Sequence, residues 1–286
     1  MKVFVTGAKG LVGSALCPIL RDRGVEVRDT DLPDGDITVP DRIPGLIGDW
    51  KPDWIVNLAA YTDVDACERS PSVAESCNGR AAGDLARIAG ARGARLLQVS
   101  TDYVFDGRSR RPYAEEDATN PLSAYGRSKL LGERLVREAL PPGRWLVVRG
   151  QSLYGAGAKS FPDAIRRAAG SRAEIPVVTD QVVQPTWAKD FAEALAGAME
   201  RDLAGIYHFA ASGSCTWNEC ARAALEEAGI TTARITPTTA AALGRPAPRP
   251  AWSVFDTAKI ERDLGRRPRE WRAMLRDYAG SAWRAA

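Results

Sequence analysis

Tyr125 and Lys129 stand four residues apart in Ala124-Tyr125-Gly126-Arg127-Ser128-Lys129. On a helix, positions i and i+4 share one face, one turn apart. A phenol beside an ammonium suits acid–base work. A free tyrosine titrates near about pH 10 and is a poor acid–base catalyst at neutral pH, but a neighbouring cation favours the phenolate and lowers that value. A second group of polar side chains lies in Ser100-Thr101-Asp102-Tyr103-Val104-Phe105, directly after an apolar run. In an open parallel sheet, ligands bind beyond the carboxyl ends of the strands. A hydroxyl there can hydrogen-bond a substrate carbonyl oxygen and polarise it. The bland alternative is that Ser100 and Thr101 only cap a turn.

A third feature is the loop Gly7-Ala8-Lys9-Gly10-Leu11-Val12-Gly13, which follows an N-terminal apolar run and opens an amphipathic helix expected over 11–23. Its spacing is GxxGxxG rather than GxGxxG. Glycines allow the tight turn and let a pyrophosphate approach the N–H groups of a helix N-terminus. The partial positive charge there favours the phosphates of a dinucleotide. The next apolar run ends Arg28-Asp29-Thr30-Asp31. A carboxylate about 20 residues beyond the loop can accept hydrogen bonds from the ribose hydroxyls. Asp31 is the first candidate for this, Asp29 the second. A carboxylate repels a 2′-phosphate and so favours NADH, whereas Lys9 and Arg28 could offset that, leaving both NADH and NADPH open. An oxidised nicotinamide ring would add a second positive charge near Tyr125.

These residues need elements to position them. Short runs rich in Val, Ile and Leu at 2–6, 25–29, 54–57, 95–100 and 145–149 read as strands. They are apolar throughout rather than alternating, which predicts cover on both faces. Helical stretches lie between them. One is expected to start at Ser70-Pro71, with Ser70 as N-cap, and to run toward Gly93; another covers 123–139. The repetition predicts an α/β fold with a doubly wound parallel sheet of Rossmann type. After residue 150 the pattern changes. A helix is expected from 187 to about 200, Thr216-Trp217-Asn218-Glu219 has the form of a capping box, and the proline-rich stretch 236–250 reads as an extended loop. This divides the chain into a dinucleotide-binding domain, 1–150, and a mainly substrate-binding lobe, 151–286, from which some segments return to the first domain. A cleft between the two would hold the substrate.

Composition narrows the function class. With 39 basic and 36 acidic residues among 286, the net charge is +3. That gives no nucleic-acid footprint; the pairs Arg110-Arg111 and Arg266-Arg267 read as solvated surface. No run nears the roughly 18 apolar residues of a membrane span, and glycines interrupt the apolar N-terminus too early for a signal peptide. The five cysteines (Cys17, Cys67, Cys77, Cys215 and Cys220) have no metal-binding spacing and read as reduced thiols of a cytoplasmic protein. The single histidine, His208, sits in an apolar strand-like context and reads as a satisfied core residue. Neither a metal site nor a histidine triad is expected.

The motifs together resemble the dTDP-4-dehydrorhamnose reductase family of extended short-chain dehydrogenases/reductases. The likeness spans nearly the whole chain. It includes the Gly7–Gly13 loop, Pro52-Asp53-Trp54-Ile55-Val56-Asn57-Leu58-Ala59-Ala60-Tyr61-Thr62, Val64-Asp65-Ala66-Cys67-Glu68, the Ser100 to Phe105 run, Asn120-Pro121, and Tyr125 to Lys129. Asp180-Gln181, Pro185-Thr186 and the stretch from Arg249 to Asp256 are also similar. The resemblance implies a catalytic trio. Thr101 would bind the C4 carbonyl oxygen of the sugar, Tyr125 would protonate it as hydride arrives, and Lys129 would hold the ribose and tune Tyr125. It implies NADPH or NADH held by Gly7, Gly10, Leu11, Val12, Gly13, Asp31, Asn57, Ala59, Ala60, Tyr125 and Lys129, with Asn78 close by. It also implies a nucleotide-sugar substrate, with Ser100, Asp102, Tyr103, Ser152 and Arg249 as candidate contacts, and a monomer or homodimer that binds neither nucleic acid nor membrane.

Three positions depart from the family's usual pattern. Ser152 stands where a tryptophan near the sugar is usual, and Val182-Val183-Gln184 replaces an expected glycine. The helix after Gly13 begins Ser14-Ala15, without the glutamate that magnesium-dependent dimers of the family use. The first two leave the sugar open, and the third speaks against a structural magnesium. The alternatives are a reductase for another nucleotide-linked keto sugar, or a non-catalytic regulatory subunit like that of methionine adenosyltransferase.

Overall fold

The computed structural model describes residues 1–39, 41–156 and 160–283. Five parallel strands are β1 (Lys2–Thr6), β2 (Glu26–Thr30), β3 (Trp54–Asn57), β4 (Arg95–Thr101) and β5 (Trp145–Gly150). A sixth, Gly205–Phe209, pairs with β5, and the order across the sheet is β2-β1-β3-β4-β5 and then this edge strand. Two apolar layers cover the sheet. Helix α1 (Gly13–Asp22) and the helix Ala188–Glu200 pack through Leu16, Leu20, Phe191 and Leu195 on one face. The helices Ala81–Ala91 and Ala124–Ala139 pack through Leu85, Ala86 and Val136 on the other. The sheet is therefore doubly wound.

Beyond residue 150 the chain contributes to two bodies. The edge strand Gly205–Phe209, the helix Ala188–Glu200, and Ile260 and Leu264 of the helix Ala258–Leu264 join the sheet core. The rest builds a second core around Tyr154, Ile165, Ile175, Cys220, Trp271 and Tyr278. Within 151–286, residues 157–159 and 284–286 lie outside the described residues.

Several local expectations change. β2 is not covered on both faces; it is an edge strand, and only Val27 and Thr30 are even half-buried along it. The helix after Ser70 runs unbroken from Pro71 to Ala91, but it is not α-helical throughout. Pro71–Ala74 passes into a π-helical turn, Glu75–Arg80, before Ala81–Ala91, and the Ser70 side chain makes no cap bond. The stretch 236–250 is not one loop. Residues through Thr238 belong to the strand Arg234–Thr238, paired with Glu174–Val178, and Thr239 caps a short helix, Ala240–Leu243. Only the part beyond Gly244, with Pro246, Pro248 and Pro250, lacks helix and strand. The capping box at Thr216 and Glu219 forms in both directions.

Candidate active site

The sheet order reverses between β1 and β3, because the chain leaves β1 for β2 on one side and returns to β3 on the other. That switch point is where open α/β sheets bind ligands. Two loops meet there. A Cβ on Gly7, which has φ +70°, would come within 2.5 Å of the Ala59 nitrogen, and one on Gly13 would strike the Gly7 carbonyl. Both glycines are thus required by packing. Gly10 differs: it is exposed, and its Cβ would meet only the Gly7 carbonyl, at 3.1 Å. Helix α1 begins with no side-chain cap and no acidic residue in its first turn. An uncapped N-terminus behind an open glycine fits a dinucleotide diphosphate. Leu11 is half-buried and Val12 is buried at this turn.

Asp31 sits beside the same loop. Its carboxylate accepts from the Lys9 N–H at 2.6 Å and from the Leu32 N–H at 2.7 Å. Asp29 instead pairs with Arg21 on α1, and Arg28 lies over the Trp50 ring, 4.7 Å from its centroid. Of the two candidate carboxylates, Asp31 is the one joined to the glycine loop.

Asn57 turns its side chain into the sheet. It accepts from Thr6 Oγ1 at 2.7 Å and donates to Gln98 Oε1 at 2.8 Å, a polar rung across β1, β3 and β4. Any cofactor contact from Asn57 would therefore come from its backbone. Ala59 and Ala60 are half-buried in the loop that follows. Asn78, carried inward by the π-helical turn, holds this loop. It accepts from the Tyr61 N–H at 2.8 Å and donates to the Tyr61 carbonyl and to Ser128 Oγ, each at 3.0 Å.

The helix Ala124–Ala139 carries Tyr125 and Lys129. Ser123 Oγ caps the Gly126 N–H at 3.1 Å, and Glu68 accepts from the Ala124 N–H at 2.6 Å. An N-cap of this kind stabilises by about 1 kcal/mol. Gly126 lets the helix start reach β4's end, since a Cβ there would strike the Tyr103 carbonyl. The result brings Thr101, Tyr125 and Lys129 together. The Thr101 hydroxyl lies beside the Tyr125 phenol, and Tyr103 packs edge-on against that ring at 5.5 Å. Thr101 Oγ1 donates to Asp102 Oδ1 at 3.0 Å and accepts from the Tyr103 N–H at 3.3 Å. Lys129 Nζ donates to the Val99 carbonyl at 2.7 Å.

The electrostatics differ from the sequence expectation. Burial, with smaller contributions from Asp102 and Tyr103, pushes the Tyr125 phenol above its ordinary value, and only Thr101 opposes this. Lys129 is directed at Val99 and does not lower it. Tyr125 is thus held as a protonated phenol at neutral pH, the form a proton donor requires. Burial brings Lys129 down to about 8.

Next to Tyr103 opens a cavity of about 830 Å³ between the two bodies. Ser152 and Arg249 line it, with Val64, Phe161, Trp217 and Arg245. Ser152 has φ +47°, an unusual left-handed conformation for serine. Arg249 is engaged: its guanidinium pairs with Asp65 at 3.1 and 3.0 Å. Tyr103 lines the cavity too, whereas Ser100, Thr101, Asp102, Tyr125 and Lys129 do not. Ser100 is 4% exposed and donates to Glu133 at 2.5 Å, beneath the site. Asp102 is turned into the seam with Gln151 and Ser253, and its burial raises the carboxyl to about 6. His208 is fully buried, with Nε2 3.2 Å from Arg149 and Nδ1 3.0 Å from the Tyr113 carbonyl. Arginine only donates, so Nδ1 carries the proton; burial, with Arg149, holds the ring neutral.

Comparisons with known proteins give the chain its family. The family model for the RmlD substrate binding domain matches residues 1–282. The chain belongs to that family. Within it, a dTDP-4-dehydrorhamnose reductase of Streptomyces griseus is 41% identical over 278 residues, covering 95% of this chain and 91% of that protein. A spore coat polysaccharide biosynthesis protein, SpsK, of Bacillus subtilis is 40% identical, covering 97% of this chain and 96% of that one. The crystal structure of a dTDP-4-dehydrorhamnose reductase from Bacillus anthracis in complex with NADP superposes with a TM-score of 0.92 at 30% identity, covering 97% and 98% of the two chains.

Proposed function

We propose that the chain is an NADPH- or NADH-dependent reductase of the C4 keto group of a nucleotide-linked 4-keto-6-deoxy sugar, dTDP-4-dehydrorhamnose to dTDP-L-rhamnose being the first reading. The observation that carries it is the Thr101 hydroxyl beside a protonated Tyr125, with Lys129 one helical turn further on, and Tyr103, which packs against the Tyr125 ring, lining the interlobe cavity. When bound, the nicotinamide supplies the hydride. Tyr125 donates its proton to the carbonyl oxygen. Thr101 turns its hydroxyl from Asp102 to that oxygen and polarises it. Lys129 holds the ribose as a cation. The intact trio favours catalysis over a regulatory-subunit role, and free thiols with a reduced nicotinamide pool suit the cytoplasm. Among the described residues no helix is long and apolar enough to cross a membrane.

The test is NADPH and NADH oxidation, followed spectrophotometrically, with dTDP-, UDP- and GDP-linked 4-keto sugars. Oxidation with at least one of them is expected; none with any of them would leave the reading without support. Ser152 leaves room on the cavity wall that a tryptophan would fill, so larger or more polar sugars should also be turned over. Preference for unmodified dTDP-4-dehydrorhamnose over every larger analogue would sink that idea. Asp31→Ala should move the ratio of NADPH to NADH affinity toward NADPH, because a carboxylate that repels a 2′-phosphate is gone. An unmoved ratio would assign discrimination elsewhere. The pH profile follows from Lys129: it is a cation below about 8 and loses its proton above, so kcat/KM should hold from neutral pH to about 8 and fall beyond it. A profile flat past pH 10 would contradict the role given to Lys129.

A further inference from the structure

Beneath the trio lies a buried ion pair that the mechanism leaves unused. Glu133 is one turn beyond Lys129, on the same face of the helix Ala124–Ala139 as Tyr125 and Lys129. It is 1% exposed, and Arg149 on β5 is 2% exposed. Arg149 donates through Nε to Glu133 Oε1 at 2.9 Å and through Nη2 to Oε2 at 2.7 Å, a two-pronged pair. Glu133 Oε1 also accepts from Ser100 Oγ at 2.5 Å. Ser100 immediately precedes Thr101 on β4. The face of the Arg149 guanidinium covers the Phe105 ring, 5.1 Å from its centroid, and its Nη1 reaches neutral His208. Both ends of the Ser100 to Phe105 segment are therefore tied to Arg149 and Glu133, and so is the helix that bears Tyr125 and Lys129.

We propose that Glu133, Arg149 and Ser100 are positioning residues that set Thr101 against Tyr125 and Lys129. The claim rests on the reductase reading for its effect on turnover. A core that needed only stability would gain little from this pair, since well-packed apolar residues in place of a buried ion pair are often neutral or stabilising. What apolar residues cannot supply is a directional link from one helix face to one strand position. Glu133 also favours the charged form of Lys129; the groups facing Lys129 are Cys77, from the π-helical turn, and Glu133.

The test is the double variant Glu133→Leu/Arg149→Met, which removes both charges together and leaves neither stranded. It should melt near the native temperature and bind NADPH, while kcat with dTDP-4-dehydrorhamnose falls on the order of 10–100-fold through misplacement, with KM changed far less. Lys129, followed by ¹³C NMR of labelled lysine and assigned with Lys129→Met, should titrate at lower pH than in the native protein. A folded double variant that keeps native kcat overturns the proposal. If the native protein reduces no keto sugar, the reductase reading has failed, and crystal structures of the native protein and the double variant decide: a Thr101 hydroxyl moved away from Tyr125 supports positioning, and an unchanged placement overturns it. If the double variant does not fold, Ser100→Ala decides. It should lower kcat and move the basic limb of the pH profile, with Ser100→Thr restoring much of both; native behaviour of Ser100→Ala overturns the proposal.

Discussion

A Tyr125→Phe protein is expected to fold, to bind NADPH as the native protein does, and to turn over its keto sugar about 10²–10⁴-fold more slowly, the usual contribution of a positioned general acid. The fold should survive because the phenol hydroxyl supports little else. Thr101 keeps its bonds to Asp102 and to the Tyr103 N–H, and the ring keeps its edge contact with Tyr103. Lys129→Met should also fold, since the Val99 carbonyl retains the Gln98 side-chain amide at 2.8 Å. It should lower turnover and move the pH optimum upward, because the group that loses its proton near about 8 is gone. The double variant should be barely worse than either single one, as the two act as a unit. A regulatory subunit would behave otherwise, keeping full function in a partner assay for both variants.

Gly10→Val should abolish measurable dinucleotide binding while leaving the fold intact. The contrast with its neighbours is the point. A side chain at Gly7 or Gly13 collides with backbone of the protein itself, so those variants should lose stability first. At Gly10 the only near atom is the Gly7 carbonyl at 3.1 Å, and the remaining space opens toward the N-terminus of α1. Valine methyls there occupy the volume a pyrophosphate needs. Calorimetry showing native NADPH affinity in a folded Gly10→Val protein would remove the loop from the account.

Much of this arrangement is legible in the sequence because local patterns specify it. β1 and β3 have the bounds that their apolar runs predict, since flanking glycines and polar residues end them sharply. The i, i+4 spacing of Tyr125 and Lys129 requires only a helix, and Ser123 supplies its start. What escapes is what depends on partners far away in sequence. Ser100 and Asp102 read as site hydroxyl and carboxylate, yet Ser100 turns down to Glu133, 33 residues on, and Asp102 turns toward Ser253. The period-2 alternation of β4 already sets Ser100 on the face opposite Thr101, a signal that could have excluded it; Asp102 lies past the strand in a 3₁₀ turn, where that alternation no longer applies. Glu133 could have been found one further turn along the Tyr125–Lys129 face. Arg149 could not, because a charged residue inside an apolar run reads as a strand end. Nothing local announces Phe161, Trp217 and Arg245 as cavity wall, because three separate segments bring them there. The Tyr125 environment escaped for a related reason: the spacing promises a nearby ammonium, while the fold spends it on Val99 and leaves burial to dominate.

The most direct test of the central claim follows the hydride itself. NADPH carrying deuterium at the transferable C4 position should be consumed with dTDP-4-dehydrorhamnose by the native protein, and mass spectrometry and NMR of the sugar product should find one deuterium at C4. The same experiment with Tyr125→Phe should give the same label at a rate lower by at least about 10²-fold. Label at C4 formed at the native rate by Tyr125→Phe, or no transfer to any 4-keto sugar by the native protein, would contradict the account.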